Sequence, residues 1–162
     1  MWTSTPTAIG DLRIVTDGEA VTAIDFFPFR DLPARPAGER DDTHPVLVEA
    51  AAQLAAYFAG TLTRFDLPLE AGGTEFQRRV WAALVEIPYG ATTSYGALAR
   101  ELGLTGHGSR AVGLANGRNP IPVVVPCHRV IGADGRLTGY AGGIERKQTL
   151  LDLERVDDGG LF

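Results

Sequence analysis

Apolar positions follow one another in strand-like runs near the start of the chain and fall into helical spacing further on. Leu12-Arg13-Ile14-Val15 follows Gly10-Asp11 and stops at Asp17-Gly18, a dipeptide that favours a hairpin turn. Ala20 to Phe27 reads as the returning strand. Residues 28–42 hold Pro28, Pro33, Pro36, Gly38 and several charged side chains from Arg35 onward, and read as a loop. Pro45 to Phe58 reads as a helix. Proline suits its first position, Leu47, Ala51, Leu54 and Phe58 line one face, and Gly60 ends it. Thr61 to Leu69 is short and extended. Ala71-Gly72-Gly73 then reads as a hinge between a lobe over 1–70 and a second over 74–157.

The second lobe is mostly helical by pattern. Thr74-Glu75-Phe76-Gln77 has the form of a capping box, and the helix it opens runs to Ile87 with Phe76, Val80, Trp81 and Leu84 on its apolar face. Pro88-Tyr89-Gly90 stops it. Thr93 or Ser94 caps a helix over Tyr95–Leu102, and a third begins near Ser109 and reaches about Arg118. Two short helices joined by a glycine-containing turn suggest a helix-turn-helix. Gly113 and Gly117 are costly inside a helix, by about 1 kcal/mol each relative to alanine. Close approach of another backbone would offset that, and so would close approach of DNA. Asn119-Pro120-Ile121-Pro122 ends the helix, Val123–Val125 is a buried run, and a glycine-rich loop over 139–143 precedes a last helix from Ile144 to about Arg155.

Charge changes the picture. The net charge is −5, which argues weakly against a polyanionic partner. Yet residues 1–70 carry 5 basic and 11 acidic side chains, residues 71–150 carry 9 and 5, and residues 151–162 carry 1 and 4. A basic middle between acidic ends is a usable footprint for nucleic acid. No apolar run approaches the roughly 20 residues that cross a bilayer, and Met1–Pro6 is not the start of a signal peptide, so a cytoplasmic protein without a membrane partner is expected. A single cysteine excludes an intramolecular disulfide and a cysteine-rich zinc site. With His44, His107 and His128 far apart, neither metal nor cofactor is expected.

Any special sulfur chemistry therefore falls to Cys127, with His128 beside it. A thiol buried among apolar groups is inert, whereas a histidine within reach, directly or through one water, can make it a nucleophile. Neighbours on a strand point to opposite faces, so the pair can cooperate only if the chain bends there. Taken alone, a Cys-His pair reads as structural.

Its surroundings shift that balance. Arg110-Ala111-Val112-Gly113-Leu114-Ala115, Asn119-Pro120 and Val125-Pro126-Cys127-His128-Arg129-Val130 resemble the O6-alkylguanine-DNA alkyltransferase (methylated-DNA–protein-cysteine methyltransferase) family, in its single-module bacterial form. Val80-Trp81-Ala82-Ala83-Leu84, Ile87-Pro88-Tyr89-Gly90, Thr93-Ser94-Tyr95-Gly96, Gly139-Tyr140-Ala141-Gly142-Gly143 and the last helix through Glu154 match as well, over residues 74–155. The resemblance implies an α/β (α+β) fold: an N-terminal ribonuclease H-like lobe with a small antiparallel sheet and helix, then a mostly helical lobe holding the helix-turn-helix and the reactive cysteine. It implies single-turnover transfer of an alkyl group from O6 of guanine in duplex DNA to Cys127, with O4-alkylthymine a further candidate substrate, by a monomer.

It also implies roles. Cys127 accepts the alkyl group, His128 is its base through a water, Glu154 orients His128, and Asn119 ties the turn before the cysteine. Tyr95 pushes on a phosphate and protonates the leaving guanine. Arg110 enters the duplex in place of the flipped nucleotide. Ser94, Tyr95, Ala111 and Gly113 face the minor groove, which is only about 6 Å wide. Tyr140, Ala141, Val130 and Pro122 line the base pocket. On residues alone Glu154 reads instead as a solvated carboxylate, Asn119 as a helix cap, and both tyrosines as ordinary half-buried aromatics.

The sequence departs from the family in one place: Asn116 stands where an apolar residue is frequent. Two rival readings remain: a non-catalytic protein that recognises alkylguanine in DNA, and a transcription factor that uses the helix-turn-helix for sequence readout.

Overall fold

The computed structural model describes residues 1–155. They divide into two compact units: Met1–Gly73 with Pro120–Val124, and Thr74–Asn119 with Val125 onward. Residues 156 and 157, at the expected end of the second lobe, lie outside the described residues.

The first unit is built on an antiparallel sheet of β1 (Trp2–Thr5), β2 (Leu12–Thr16) and β3 (Val21–Phe26), in that spatial order. Gly18, at φ 107°, makes the hairpin between β2 and β3, and Asp17 Oδ1 accepts the N–H groups of Glu19 and Ala20 at 2.9 Å. Every residue of β2 is buried, which explains why its sequence does not alternate cleanly. Val15 packs with Ala23, Ala37 and Trp2. Beside it, Arg13 is held by Asp25 and Asp31 at 2.9 Å each and lies over the rings of Trp2 and Phe29. Leu12 and Ile14 point to the other face and are fully buried. The sheet packs against α1 (Pro45–Phe58), whose N-cap is His44, with Nδ1 accepting the Val46 N–H at 3.2 Å. The residues α1 buries are Leu47, Ala50, Leu54 and Tyr57. The expected stripe named Ala51 and Phe58 instead. Two apolar residues stand side by side at both places, and pattern alone does not choose between them. The segment Pro120–Val124 joins this unit through the Ile24 N–H, which donates to the Pro120 carbonyl at 2.9 Å.

The second unit opens with α2 (Glu75–Val85), started by the reciprocal Thr74–Gln77 capping box. It buries Val80, Trp81 and Leu84, leaves Phe76 half-buried, and stops two residues short of the expected Ile87. A two-residue strand β4 (Thr93–Ser94) leads into α3 (Tyr95–Glu101), capped by Ser94 Oγ accepting the Ala97 N–H at 3.0 Å. After the turn comes α4 (Gly108–Gly117). Gly108 is required there, since a Cβ would lie 2.6 Å from that of Leu104. The Trp81 indole N–H donates to the buried Ala115 carbonyl at 2.8 Å and fixes α4 to α2. A one-turn 3-10 helix over Cys127–Arg129, a second two-residue strand β5 (Val130–Ile131) and α5 (Ile144–Glu154) complete the unit. Among the described residues, no helix is long and apolar enough to cross a membrane.

Candidate active site

The chain reaches the cysteine through a strained turn. Val123, a β-branched residue, sits at φ 73°, a conformation worth about 1–3 kcal/mol of strain. Beyond it the Asn119 side chain donates to the Val125 carbonyl at 2.8 Å, which pins the segment entering Pro126. Cys127, His128 and Arg129 then form the 3-10 turn. This is the bend that cooperation between the first two needs, in place of a continuing strand. The turn ends in β5, which pairs in parallel with β4, Thr93 opposite Val130 and Ser94 opposite Ile131.

All three side chains of the turn are buried. Burial pushes the Cys127 thiol up to about 11, against opposing effects of the Asn119 side chain and the Lys147 charge, so the resting sulfur is protonated. His128 is fully enclosed and its ring nitrogen Nε2 lies 2.7 Å from Glu154 Oε2. Burial lowers the pKa of His128 more than the Glu154 carboxylate restores it, so the imidazole is neutral near pH 7. Glu154 is not solvated: it is 1% exposed, and Arg129 grips both its oxygens, at 2.7 and 3.0 Å, while donating a third bond to the Ile87 carbonyl at 2.7 Å. The guanidinium balances the carboxylate. A neutral His128 therefore gives its proton on Nε2 to Glu154, and its Nδ1, buried and without a hydrogen-bond partner among the described residues, carries the lone pair. Asn116 donates to the Cys127 carbonyl at 3.3 Å from the buried face of α4.

The other expected site residues fall in three places. Val130 is fully buried, Tyr140 is half-buried with its hydroxyl enclosed, and Ala141 is exposed. Burial pushes the Tyr140 phenol well above its ordinary value, and the Cys127 sulfur adds to this once ionised. Pro122 is buried within the segment that belongs to the first unit. Tyr95 opens α3, and its hydroxyl accepts from Thr138 Oγ1 at 3.0 Å. Arg110 is exposed in the first turn of α4, with Ala111 and Gly113 half-buried behind it. A Cβ on Gly113 would meet only the Tyr95 ring at 3.7 Å, and one on Gly117 would meet nothing within 4 Å. Tight backbone packing therefore does not account for either glycine.

Two residues that sequence reasoning passed over, Lys147 and Arg129, belong to this cluster, together with Asn116, which stood out only as a departure from the family. Lys147 is fully buried and donates to the carbonyls of Val130 at 2.7 Å and Thr138 at 2.8 Å, tying the loop before Tyr140 to the strand after the cysteine. Its signal was available: Lys147 and Glu154 fall on the same helical stripe as Leu150, where only apolar residues are expected. Asn116 likewise sits one turn after Val112 on the buried stripe of α4. Arg129 carried no comparable mark.

Two protein-family models match the chain: residues 1–71 match the ribonuclease-like domain of 6-O-methylguanine DNA methyltransferase, and residues 75–156 match its DNA binding domain. The chain belongs to the 6-O-methylguanine DNA methyltransferase family. Among its relatives is the methylated-DNA–protein-cysteine methyltransferase of Mycolicibacterium paratuberculosis, 67% identical over 106 residues, which make up 65% of this chain and 64% of that protein. The fold matches the crystal structure of Mycobacterium tuberculosis OGT in complex with DNA, with a TM-score of 0.84 and 47% identity over 95% of this chain and 92% of that one. It also matches the O6-methylguanine-DNA methyltransferase of Pyrococcus kodakaraensis, with a TM-score of 0.60 and 25% identity over 96% of this chain and all of that one.

Proposed function

We propose that this protein repairs alkylated duplex DNA directly, by moving the alkyl group from O6 of guanine onto Cys127 in one irreversible turnover. The observation that carries the reading is the state of His128: pinned through Nε2 to a charge-balanced carboxylate, it holds a buried lone pair on Nδ1 next in sequence to a protonated thiol.

The thiol proton passes through one solvent molecule to His128 Nδ1, and Glu154 stabilises the imidazolium that forms. The thiolate attacks the alkyl carbon. An S–C bond forms as the C–O6 bond breaks, and the electron pair of the broken bond stays on guanine, which takes up a proton from the Tyr95 hydroxyl. The product is a thioether, which does not leave at neutral pH, and the sequence holds no second thiol to clear it.

The target base must leave the stack for its O6 to reach the sulfur in line. Arg110, exposed in the first turn of α4, fills the space it vacates, while Ser94, Tyr95, Ala111 and Gly113 approach the minor groove. Tyr140, Ala141 and Val130 receive the flipped base. The protein acts as a monomer in the cytoplasm, without metal or cofactor. Incubation with an O6-methylguanine duplex, followed by intact mass and peptide mapping, is expected to find one methyl group on Cys127. Tight binding of that duplex with no gain in mass would point to the non-catalytic recogniser instead.

A further inference from the structure

We propose that Thr138 is a positioning residue for the transfer step: its hydroxyl holds the Tyr95 phenol by the oxygen, so that the phenolic proton stays free for the departing guanine. The proposal rests on the repair reading above, in which Tyr95 supplies that proton, and names a residue that reading does not contain.

Thr138 is exposed at the head of the glycine-rich loop that precedes α5, a place where a threonine ordinarily needs no explanation. This one is held at both its backbone and its side chain. Its carbonyl accepts from the buried Lys147 ammonium at 2.8 Å, and the same ammonium donates to the carbonyl of Val130, in the strand after the reactive sulfur, at 2.7 Å. Its Oγ1 donates to the Tyr95 hydroxyl at 3.0 Å, across 43 positions of sequence. A short run of bonds thus leads from the strand after Cys127, through Lys147 and Thr138, to the far end of the Tyr95 side chain. The β4–β5 pairing fixes only the near end, the backbone at which α3 begins. Between those ends the phenol is free to turn about its side-chain torsions. On its α4 side stands Gly113, which has no side chain to steady the ring; even an added Cβ would lie 3.7 Å from it. Among the described residues, Thr138 is the hydrogen-bond partner of the phenol.

The direction of that bond decides what it does for the chemistry. A phenol has one proton to give and an oxygen that also accepts. Thr138 occupies the accepting side, and the O–H remains available. In the transfer step the Tyr95 O–H bond breaks as a bond from the same hydrogen to guanine forms, and the electron pair stays on the phenolic oxygen. The Thr138 hydroxyl already points at the atom on which this charge appears, and a hydrogen bond that strengthens as charge develops lowers the barrier. Solvent afterwards returns a proton to the phenolate. In this role Thr138 acts through Tyr95 and not on the base.

The test is single-turnover methyl transfer from an O6-methylguanine duplex at increasing protein concentration, which separates the Kd from the rate at saturation. Thr138→Val keeps the branched shape and drops the hydroxyl. Its saturated rate is expected to fall about tenfold, with a Kd within about twofold of that of the natural chain. Thr138→Ser restores a hydroxyl and is expected to recover the rate to within about threefold. In a Tyr95→Phe background, adding Thr138→Val is expected to change the rate by less than about twofold, because the group it acts through is gone. Methyl iodide, whose iodide leaves without a proton, is expected to methylate Cys127 of the natural chain and of Thr138→Val at the same rate. A natural saturated rate for Thr138→Val overturns the proposal. So does an undiminished loss in the Tyr95→Phe background, or a parallel loss with methyl iodide, either of which marks a structural role. If the natural chain transfers methyl and Tyr95→Phe does so equally fast, Tyr95 is not the donor, and the proposal falls while repair stands. If the natural chain never transfers, the reading beneath it fails.

Discussion

Replacing Glu154 by glutamine separates what this carboxylate does for the fold from what it does for the chemistry. The side chain is 1% exposed and takes three short contacts, one from His128 and two from Arg129. Glutamine keeps the shape and an acceptor but removes the charge, leaving the Arg129 guanidinium, 6% exposed, without its counterion. Breaking a buried pair in this way costs about 3–5 kcal/mol, a large part of the roughly 5–15 kcal/mol that holds a domain together. For a chain of this size the melting temperature is expected to fall by about 10 °C. Methyl transfer from an O6-methylguanine duplex is expected to slow by about 100-fold or more, because the imidazolium loses its stabilising charge. The double variant Arg129→Met/Glu154→Gln removes both charges and is expected to recover most of the melting temperature while transfer stays slow. Urea or thermal unfolding and single-turnover kinetics on the three proteins decide the matter. If the double variant is no more stable than the single one, the charge-balance argument is wrong. If Glu154→Gln transfers at the normal rate, the carboxylate has no part in the chemistry.

Two further outcomes follow from the buried groups. The folded state holds the Cys127 proton to about 11, whereas an unfolded thiol ionises near 9. This contribution is whole below pH 9 and declines as the pH rises toward 11, by about 3 kcal/mol in total; urea titrations over that range are expected to show a steeper decline in the natural chain than in Cys127→Ser, where the buried tyrosines still titrate, and parallel curves would contradict it. Lys147→Met strands the carbonyls of Val130 and Thr138, and is expected to lower stability by about 2–4 kcal/mol, read as a lower urea midpoint with unchanged slope.

Local chemistry made much of the fold readable. The Thr74–Gln77 box, the proline at the start of α1 and the Asp17-Gly18 turn each act over a few residues, and each stands where the pattern puts it. β1 was missed because Trp2–Thr5 is held by its partner Leu12–Thr16 and not by its own alternation. β4 and β5 are two residues each, meet across 37 positions of sequence, and leave no periodicity to detect. At the site, Cys127 and His128 drew attention by residue type. The burial of Glu154 did not, because a carboxylate tolerates such a place only when an arginine comes with it. That arginine lies 25 residues away in sequence and is supplied by tertiary packing.

The rungs between Thr93–Ser94 and Val130–Ile131 carry a consequence for anyone who would re-engineer the molecule. Tyr95, the first residue of α3, follows one of these strands directly, and the sulfur-bearing turn precedes the other. With no linker along which to slide, shifting α3 by even one residue would move Tyr95 and drag the nucleophile with it. Altered specificity in such a scaffold must come from exchanging side chains on a fixed backbone, not from displacing the helix.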